Sequence, residues 1–380
     1  MLLVLNAGSS SIKFALYDLP LSGRARHGGQ IAGIGREPHF TVDGREQAAP
    51  ARLADHAAAI GCLLDWLDAA LHGKHLAGVG HRVVHGGVGF VQPVRLESSI
   101  LEALAHLTPL APHHQPHNLA AIGAVAARMP ELPQVACFDT AFHATMPEEG
   151  RRLPLPAEFA SRGLRRYGFH GLSYESIVAR LPALVGELPS RLVIAHLGNG
   201  ASMCAVKDGR SVATTMGFST LDGLVMATRS GSIDPGVLLH LMREGYGLAE
   251  LEDLLYNRAG LLGLSGSSAD MKFLLESKAP AASAAVAFYC YRISRELGSL
   301  AAALGGLDAF VFTGGVGENA SEVRAQVCRS ADWLGIALDG AANLADGPRI
   351  TTRDSAVGAW VVATDEQGVI AAHTAKLLGL

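Results

Sequence analysis

Apolar and polar positions along this chain fall into one pattern that occurs twice. Residues 2–6 are apolar up to Asn6, pass through Ala7-Gly8-Ser9-Ser10-Ser11, and resume as an alternating segment over 12–18. Such runs, bounded by Gly, Ser and Pro, predict strands, with a poorer one near 40–42. Over 53–71, Ile60, Leu63, Leu64, Leu67 and Leu71 share one face at helical spacing. "GVGHRVVHGG" (78–87) reads as a strand ending in a glycine turn. Helical periodicity follows at 96–107 and 118–128, and 133–142 holds another buried strand. The alternation of strands and helices predicts an α/β sheet.

The second half repeats the pattern. After an irregular Arg- and Pro-rich connection at 151–171, "RLVIAHLGNGASMCAVKDGR" (191–210) again gives strand, Gly/Asn/Ser turn, strand. Helical spacing resumes at 235–243, 249–256 and most clearly 281–304. Residues 307–327 read as strand, glycine turn, helix, and 359–378 as strand then helix, with Thr364 and Gln367 placed as a capping box. This internal duplication predicts two related domains with a cleft between them.

Composition narrows the class. A chain of 380 residues exceeds one typical core. With 49% hydrophobic residues, 17% charged and 44 glycines, it is globular rather than disordered. A net charge of -4 offers no field that would attract nucleic acid or an anionic membrane. The five cysteines are scattered without a C-x-x-C pair, as in reduced cytosolic proteins. The opening apolar run is shorter than the roughly 7–15 residues of an export-signal core, and no apolar run of about 18 residues occurs. A soluble, cytoplasmic protein is expected.

Three glycine turns, at 6–11, 198–202 and 313–319, each follow a short apolar strand. Successive backbone N–H groups in such turns can cradle an anion, and ligands of open α/β sheets gather beyond the carboxyl ends of strands. One turn alone reads as an ordinary hairpin; three together point to phosphate. The P-loop pattern is absent. "GVGENA" (315–320) matches the dinucleotide fingerprint, but no second strand ending in an acidic residue follows about twenty positions on.

Charged side chains supply candidate chemistry. Period two puts Arg82 and Val84 on one face of their strand, a guanidinium and a small apolar group suited to a short-tailed carboxylate. Arg229 lies in a Gly/Ser loop, and two arginines can neutralise a phosphoryl group in transfer. Asp139 follows an apolar run, where a carboxylate can orient a nucleophile, accept a proton or merely cap a turn. His170 sits in the aromatic-lined "YGFHG"; a lone histidine there reads first as structural. "APHHQPHN" lacks the ligands of a zinc site, leaving His114 as a charge donor. Glu366, in the first turn of the last helix, suits either a hydrated Mg²⁺ or the helix dipole.

Taken in order, "NAGSSSIKF", "HRVVHGG", "CFDTAFH", "RRYGFHG", "AHLGNGAS", "TTMGFSTLDGLVMATRSGSIDPG", "FTGGVGEN" and "TDE" resemble the motifs of acetate kinases across nearly the whole chain. The resemblance implies two duplicated actin-like (βββαβαβα) domains, here 1–138 with 367–380, and 139–366. It implies a Mg²⁺- or Mn²⁺-dependent reaction of ATP with acetate or another short-chain acid, giving ADP and an acyl phosphate, and a homodimer.

By matching motif positions, Arg82, Val84 and Phe169 are implied at the acyl group, and Arg82, Asp139, His170, Arg229 and His114 in catalysis. Asn6 and Glu366 are implied at the metal. Ser9, Ser11, Lys13, His196, Gly198, Asn199 and Gly200 are implied at the phosphates, and Asp270, Lys272, Gly315, Glu318 and Asn319 around the nucleoside. Lys13, a strand lysine, is equally placed to face water.

Four of the chain's departures from the motifs bear on the chemistry. His113 stands for a leucine, Thr220 for a proline, Tyr174 for a second histidine and Lys272 for an arginine. The first two alter the acyl pocket, which leaves propionate or a more polar acid as alternatives to acetate. A nucleotide-binding protein without catalysis is the remaining alternative on the same fold.

Overall fold

The computed structural model describes residues 1–71 and 73–380. Contacts divide them into two units, Met1–Phe142 with Asp365–Leu380, and His143–Thr364. Asp139 and Glu366 therefore both fall in the first unit.

The first unit holds an eight-stranded sheet. Its strands are β1 (Leu2–Ala7), β2 (Ser11–Tyr17), β3 (His27–Ala32), β4 (His39–Val42), β5 (Arg45–Glu46), β6 (Gly78–Val83), β7 (Val94–Arg95) and β8 (Gln134–Phe138). The spatial order is β5-β4-β3-β2-β1-β6-β8-β7. From β5 to β1 neighbours run antiparallel; β6 and β8 then add parallel to β1. The helix His56–Ala70 buries Ile60, Leu63, Leu64 and Leu67, as the spacing predicts, and is capped by Asp55, which accepts from Ala58 N at 2.9 Å.

β3 was not legible. Its sequence, HGGQIA, has little strand character, and Gly29 is there because a Cβ would lie 2.6 Å from the Phe14 ring and 2.2 Å from Thr41 O.

The last helix, Glu366–Leu378, packs on β1, β6 and β8. Close approach requires glycine: a Cβ at Gly80 would fall 2.3 Å from Thr374 Oγ1, and one at Gly78 2.4 Å from Leu378 Cδ1. The cap of this helix is not the expected Thr364. Asp365 caps it instead, accepting from Gly368 N at 2.9 Å.

The second unit holds β9 (Arg191–Leu197), β10 (Ala201–Lys207), β11 (Arg210–Thr214), β12 (Ala309–Thr313) and β13 (Gly358–Val361) in the order β11-β10-β9-β12-β13. Again three antiparallel strands are extended by parallel ones. The duplicated topology is thus present in both sheets. The 25-residue helix Pro280–Leu304 starts on a proline and ends at Gly305 (φ 70°), and it covers β9, β10 and β11.

Two expectations are corrected here. The connection at 151–171 contains the short helix Ala157–Ser161 and runs into an unexpected helix, Gly171–Arg180. The buried positions of the latter include Ser173, Tyr174 and Ser176, so no apolar stripe betrays it. The turn expected at 313–319 is itself the helix Gly314–Asn319. Gly314 (φ 78°) starts it because a Cβ there would sit 2.8 Å from Leu197 O.

Candidate active site

In the first unit, β1, β6 and β8 run parallel, so their carboxyl ends deliver Asn6, Arg82 and Asp139 to one edge. Arg82 Nε donates to both Asp139 oxygens at 3.0 Å, and its Nη2 donates to Oδ2. Arg82 Nη1 donates to Asn6 Oδ1 at 3.1 Å. The Asp139 side chain is 2% exposed and that of Arg82 20%. Burial alone would weaken the Arg82 charge, but Asp139 and then Glu366 outweigh it and hold the guanidinium firmly protonated. Both Asp139 oxygens accept from Arg82.

Asn118, which the sequence did not single out, ties this edge together. Its Oδ1 accepts from Val84 N at 3.0 Å and its Nδ2 donates to Ala7 O at 2.7 Å. Val84 itself is buried. His56, also unforeseen, is bonded through Nε2 to Gly8 O at 2.6 Å and stacks on His117. In the hairpin turn Gly8 N donates to Ser11 O at 2.8 Å. Ser9 and Lys13 are exposed and Ser11 is half-buried; Lys13 faces Asn6 across the β1–β2 pair. His114 precedes the helix Gln115–Arg128, and His113 beside it is exposed.

In the second unit, Gly198, Asn199, Asp270, Lys272, Gly315 and Asn319 line one cavity of about 460 Å³. These are six of the residues expected at the nucleotide, drawn from three separate segments. Glu318 is not among the lining residues. Its carboxylate turns back to accept from Gly314 N at 2.9 Å and Thr364 N at 3.4 Å. The helix Gly314–Asn319 is held from below by Arg324, a fully buried arginine that sequence patterning gives no means of finding. Arg324 Nη1 donates to Gly317 O at 3.0 Å and to Glu318 O at 2.8 Å, and its Nη2 pairs with Asp346.

His170 caps the helix Gly171–Arg180 in a left-handed conformation (φ 59°), uncommon for any residue but glycine. The preceding backbone is pinned. His143 Nε2 donates to Phe169 O at 3.0 Å, and Gly168 (φ 77°) lets the His143 ring approach where a Cβ would clash at 2.6 Å. Burial pushes His143 down to about 4, so it is neutral, and its Nδ1 meets Ser211 Oγ at 2.8 Å. Phe169, expected at the acyl group, is buried in this packing.

The His170 ring stacks on His196 at 4.3 Å, and His196 Nδ1 meets Ser173 Oγ at 2.8 Å. Arg229 Nη1 donates to Thr220 O at 2.7 Å. A Cβ on Gly200 would lie 2.7 Å from Arg229 Nη2 and 3.3 Å from His170 Nε2, so only glycine leaves both groups their place. His170, Arg229, His196 and Gly200 are therefore brought together.

Each unit presents its own set of groups. One presents a clamped guanidinium at a sheet edge. The other presents a glycine-lined cavity and a cluster of Arg and His. Such a set is rich in anion-binding groups, as expected for moving a phosphoryl group between anions.

Comparison with known proteins agrees with this chemistry. The profile of the Acetokinase family matches residues 1–372. An acetate kinase of Rhodopseudomonas palustris is 52% identical over 99% of this chain and 98% of its own. One of Rhizobium meliloti is 46% identical over 99% and 98%. Among solved structures, a propionate kinase from Francisella tularensis superposes with a TM-score of 0.94 at 34% identity, covering 99% of both chains. Porphyromonas gingivalis acetate kinase gives 0.89 at 36%, again over 99% of both. The matches cover both duplicated sheets, and the chain belongs to the acetokinase family.

Proposed function

We infer that this chain is an acetate kinase, transferring the γ-phosphoryl group of ATP reversibly to acetate and forming acetyl phosphate and ADP. Full-length identity of 52% to an acetate kinase carries the reading. A carboxylate oxygen attacks the γ-phosphorus, the bond from that phosphorus to the β-bridging oxygen breaks, and ADP leaves with the electron pair. Acetate is already ionised at neutral pH, so no general base is required. Catalysis then rests on positioning and on neutralising charge.

The residue roles are those that the family resemblance implies. Arg82, held side-on by Asp139, binds the acyl carboxylate, with Val84 beside it. Arg229 and His170 neutralise the phosphoryl oxygens in transfer, with His114 assisting. Gly198, Asn199 and Gly200 offer backbone N–H groups to the nucleotide phosphates, with Ser9 and Ser11 on the transferred group. Asp270, Lys272, Gly315 and Asn319 surround the nucleoside. Mg²⁺ commonly needs only one or two protein carboxylates when phosphates supply the rest. The Glu366 carboxylate and the Asn6 amide oxygen have that donor chemistry. When bound, the ion would neutralise charge on the β- and γ-oxygens.

Propionate is the second reading. It is supported by the propionate kinase superposition and by His113 and Thr220, which replace apolar residues of the motif. Hydroxamate formation with ATP-Mg²⁺ and acetate, propionate or glycolate separates the two. A tenfold higher kcat/KM for acetate, about 1.4 kcal/mol, assigns acetate as preferred substrate. Equal or higher values for propionate assign the alternative.

We also propose a homodimer. The helix Pro235–Arg243 buries none of its residues within the chain. Val237, Leu239, Met242 and the following Leu248 are exposed. A nine-residue helix gains little stability alone, and a second copy would cover this face. No helix among the described residues is long and apolar enough to cross a membrane.

A further inference from the structure

Two consecutive carbonyls of the first glycine turn are held by side chains from two helices. Ala7 O accepts from Asn118 Nδ2 at 2.7 Å, and Gly8 O is bonded to His56 Nε2 at 2.6 Å. Asn118 lies in the helix Gln115–Arg128, and His56 opens the helix His56–Ala70. A carbonyl oxygen only accepts, so His56 Nε2 carries the hydrogen of this bond. His56 is 6% exposed, and its ring stacks on that of His117, the chain neighbour of Asn118, with centroids 4.8 Å apart. Its helix is seated in turn by the buried Ile60, Leu63, Leu64 and Leu67.

The turn does not close in the usual way. A four-residue turn often carries a bond from its fourth N–H to its first carbonyl. Residues 9 and 10 form a bend without that bond; the bond present runs the other way, from Gly8 N to Ser11 O at 2.8 Å. The first carbonyl, Gly8 O, is given to His56. A trans peptide unit holds its C=O and its N–H on opposite sides, and the units of this turn are trans. With Ala7 O turned to Asn118, Gly8 N is left facing Ser11. With Gly8 O drawn inward to buried His56, the Ser9 N–H faces outward. Ser9 is exposed, and its N–H has no partner among the described residues. One N–H of the turn closes the loop, and the next is left to a ligand.

We propose that His56 is a positioning residue that aims the Ser9 backbone N–H at a phosphoryl oxygen. This rests on the reading that the turn at 6–11 meets the transferring phosphoryl group. The Gly8–Ser9 peptide unit needs such a hold, because glycine accepts either sign of φ and offers little resistance to its rotation. The bond to His56 selects one orientation. A donor aimed in advance costs no reorganisation when charge develops on the phosphoryl oxygens. His56 itself touches no substrate: its Nε2 is committed to Gly8 O and its face to His117.

The test is nitrogen-15 NMR of serine-labelled protein titrated with inorganic phosphate, with the Ser9 amide assigned by its loss in Ser9→Ala. In the wild type the Ser9 amide signal is expected to move, saturably, as phosphate is added. His56→Phe keeps a ring on His117 and removes the donor, and there the movement should be lost. His56→Gln returns an N–H at similar reach and should restore it. His56→Leu serves if His56→Phe does not fold.

A wild-type Ser9 amide that ignores phosphate overturns the proposal, as does an unchanged response in folded His56→Phe or His56→Leu. This readout needs no turnover, so it stands apart from the fate of the acyl kinase reading. In turnover, the kcat of His56→Phe should fall about tenfold or more with an unchanged KM for ATP, and His56→Gln should recover most of it. A wild-type kcat in His56→Phe would remove His56 from the reaction.

Discussion

At the scale of single residues, the account depends on buried polar groups whose partners fix their state. Asp139 is the clearest. Truncating it leaves the Arg82 charge with little access to water, and breaking a buried ion pair typically costs about 3–5 kcal/mol. Asp139→Ala should lower the unfolding free energy by that amount and abolish turnover; a loss under about 1 kcal/mol would show that the pair adds little. Buried histidines make a second prediction. Burial pushes His81, His85 and His143 each down to about 4, with Gln134 opposing in part at His81. In the unfolded chain they titrate near 6.5. Between those values the unfolded chain binds protons that the folded chain does not. Their contribution is therefore complete above pH 6.5 and lost toward pH 4, by up to about 1.4 kcal/mol per pH unit for each. Urea midpoints at pH 7.5 and 5.5 check this; a midpoint as high at 5.5 contradicts it.

At the scale of elements, the strands and helices with a clean apolar period were legible, and those shaped by polar burial or close approach were not. β1, β2 and the helix Pro280–Leu304 announce themselves by spacing. β3 hides behind two glycines, one of which, Gly29, the Phe14 ring demands, and the helix Gly171–Arg180 hides because Ser173, Tyr174 and Ser176 share its buried positions with Leu172 and Ile177. The same division holds for the site. Arg82, Arg229 and the glycine turns carry recognisable chemistry in short motifs. Asn118, His143 and Arg324 act through partners outside their own segments, which no local pattern reports. The last helix yields the prediction of this scale. Gly80 admits it against β6, and a Cβ there would sit 2.3 Å from Thr374 Oγ1 and 2.7 Å from Ile370 Cγ2. Overpacking of this kind costs typically about 1–3 kcal/mol. Gly80→Ala should lower the melting temperature accordingly; no change would mean that the helix yields freely.

At the scale of the whole molecule, duplication explains the division of labour: each sheet brings its parallel strands to an end where anion-binding groups collect. The exposed helix Pro235–Arg243 bears on assembly. Leu239→Asp with Met242→Asp should convert a dimer into a monomer in sedimentation, with little change in the stability of the fold; a wild-type protein already monomeric at micromolar concentration contradicts the proposed assembly. The central claim is that this chain phosphorylates a short carboxylic acid directly from ATP. Phosphorus NMR of the purified protein with ATP, Mg²⁺ and acetate or propionate tests it most directly. The account predicts an acyl phosphate signal growing in equal amount with ADP. Inorganic phosphate as the only product, or unchanged ATP with either acid, would contradict it.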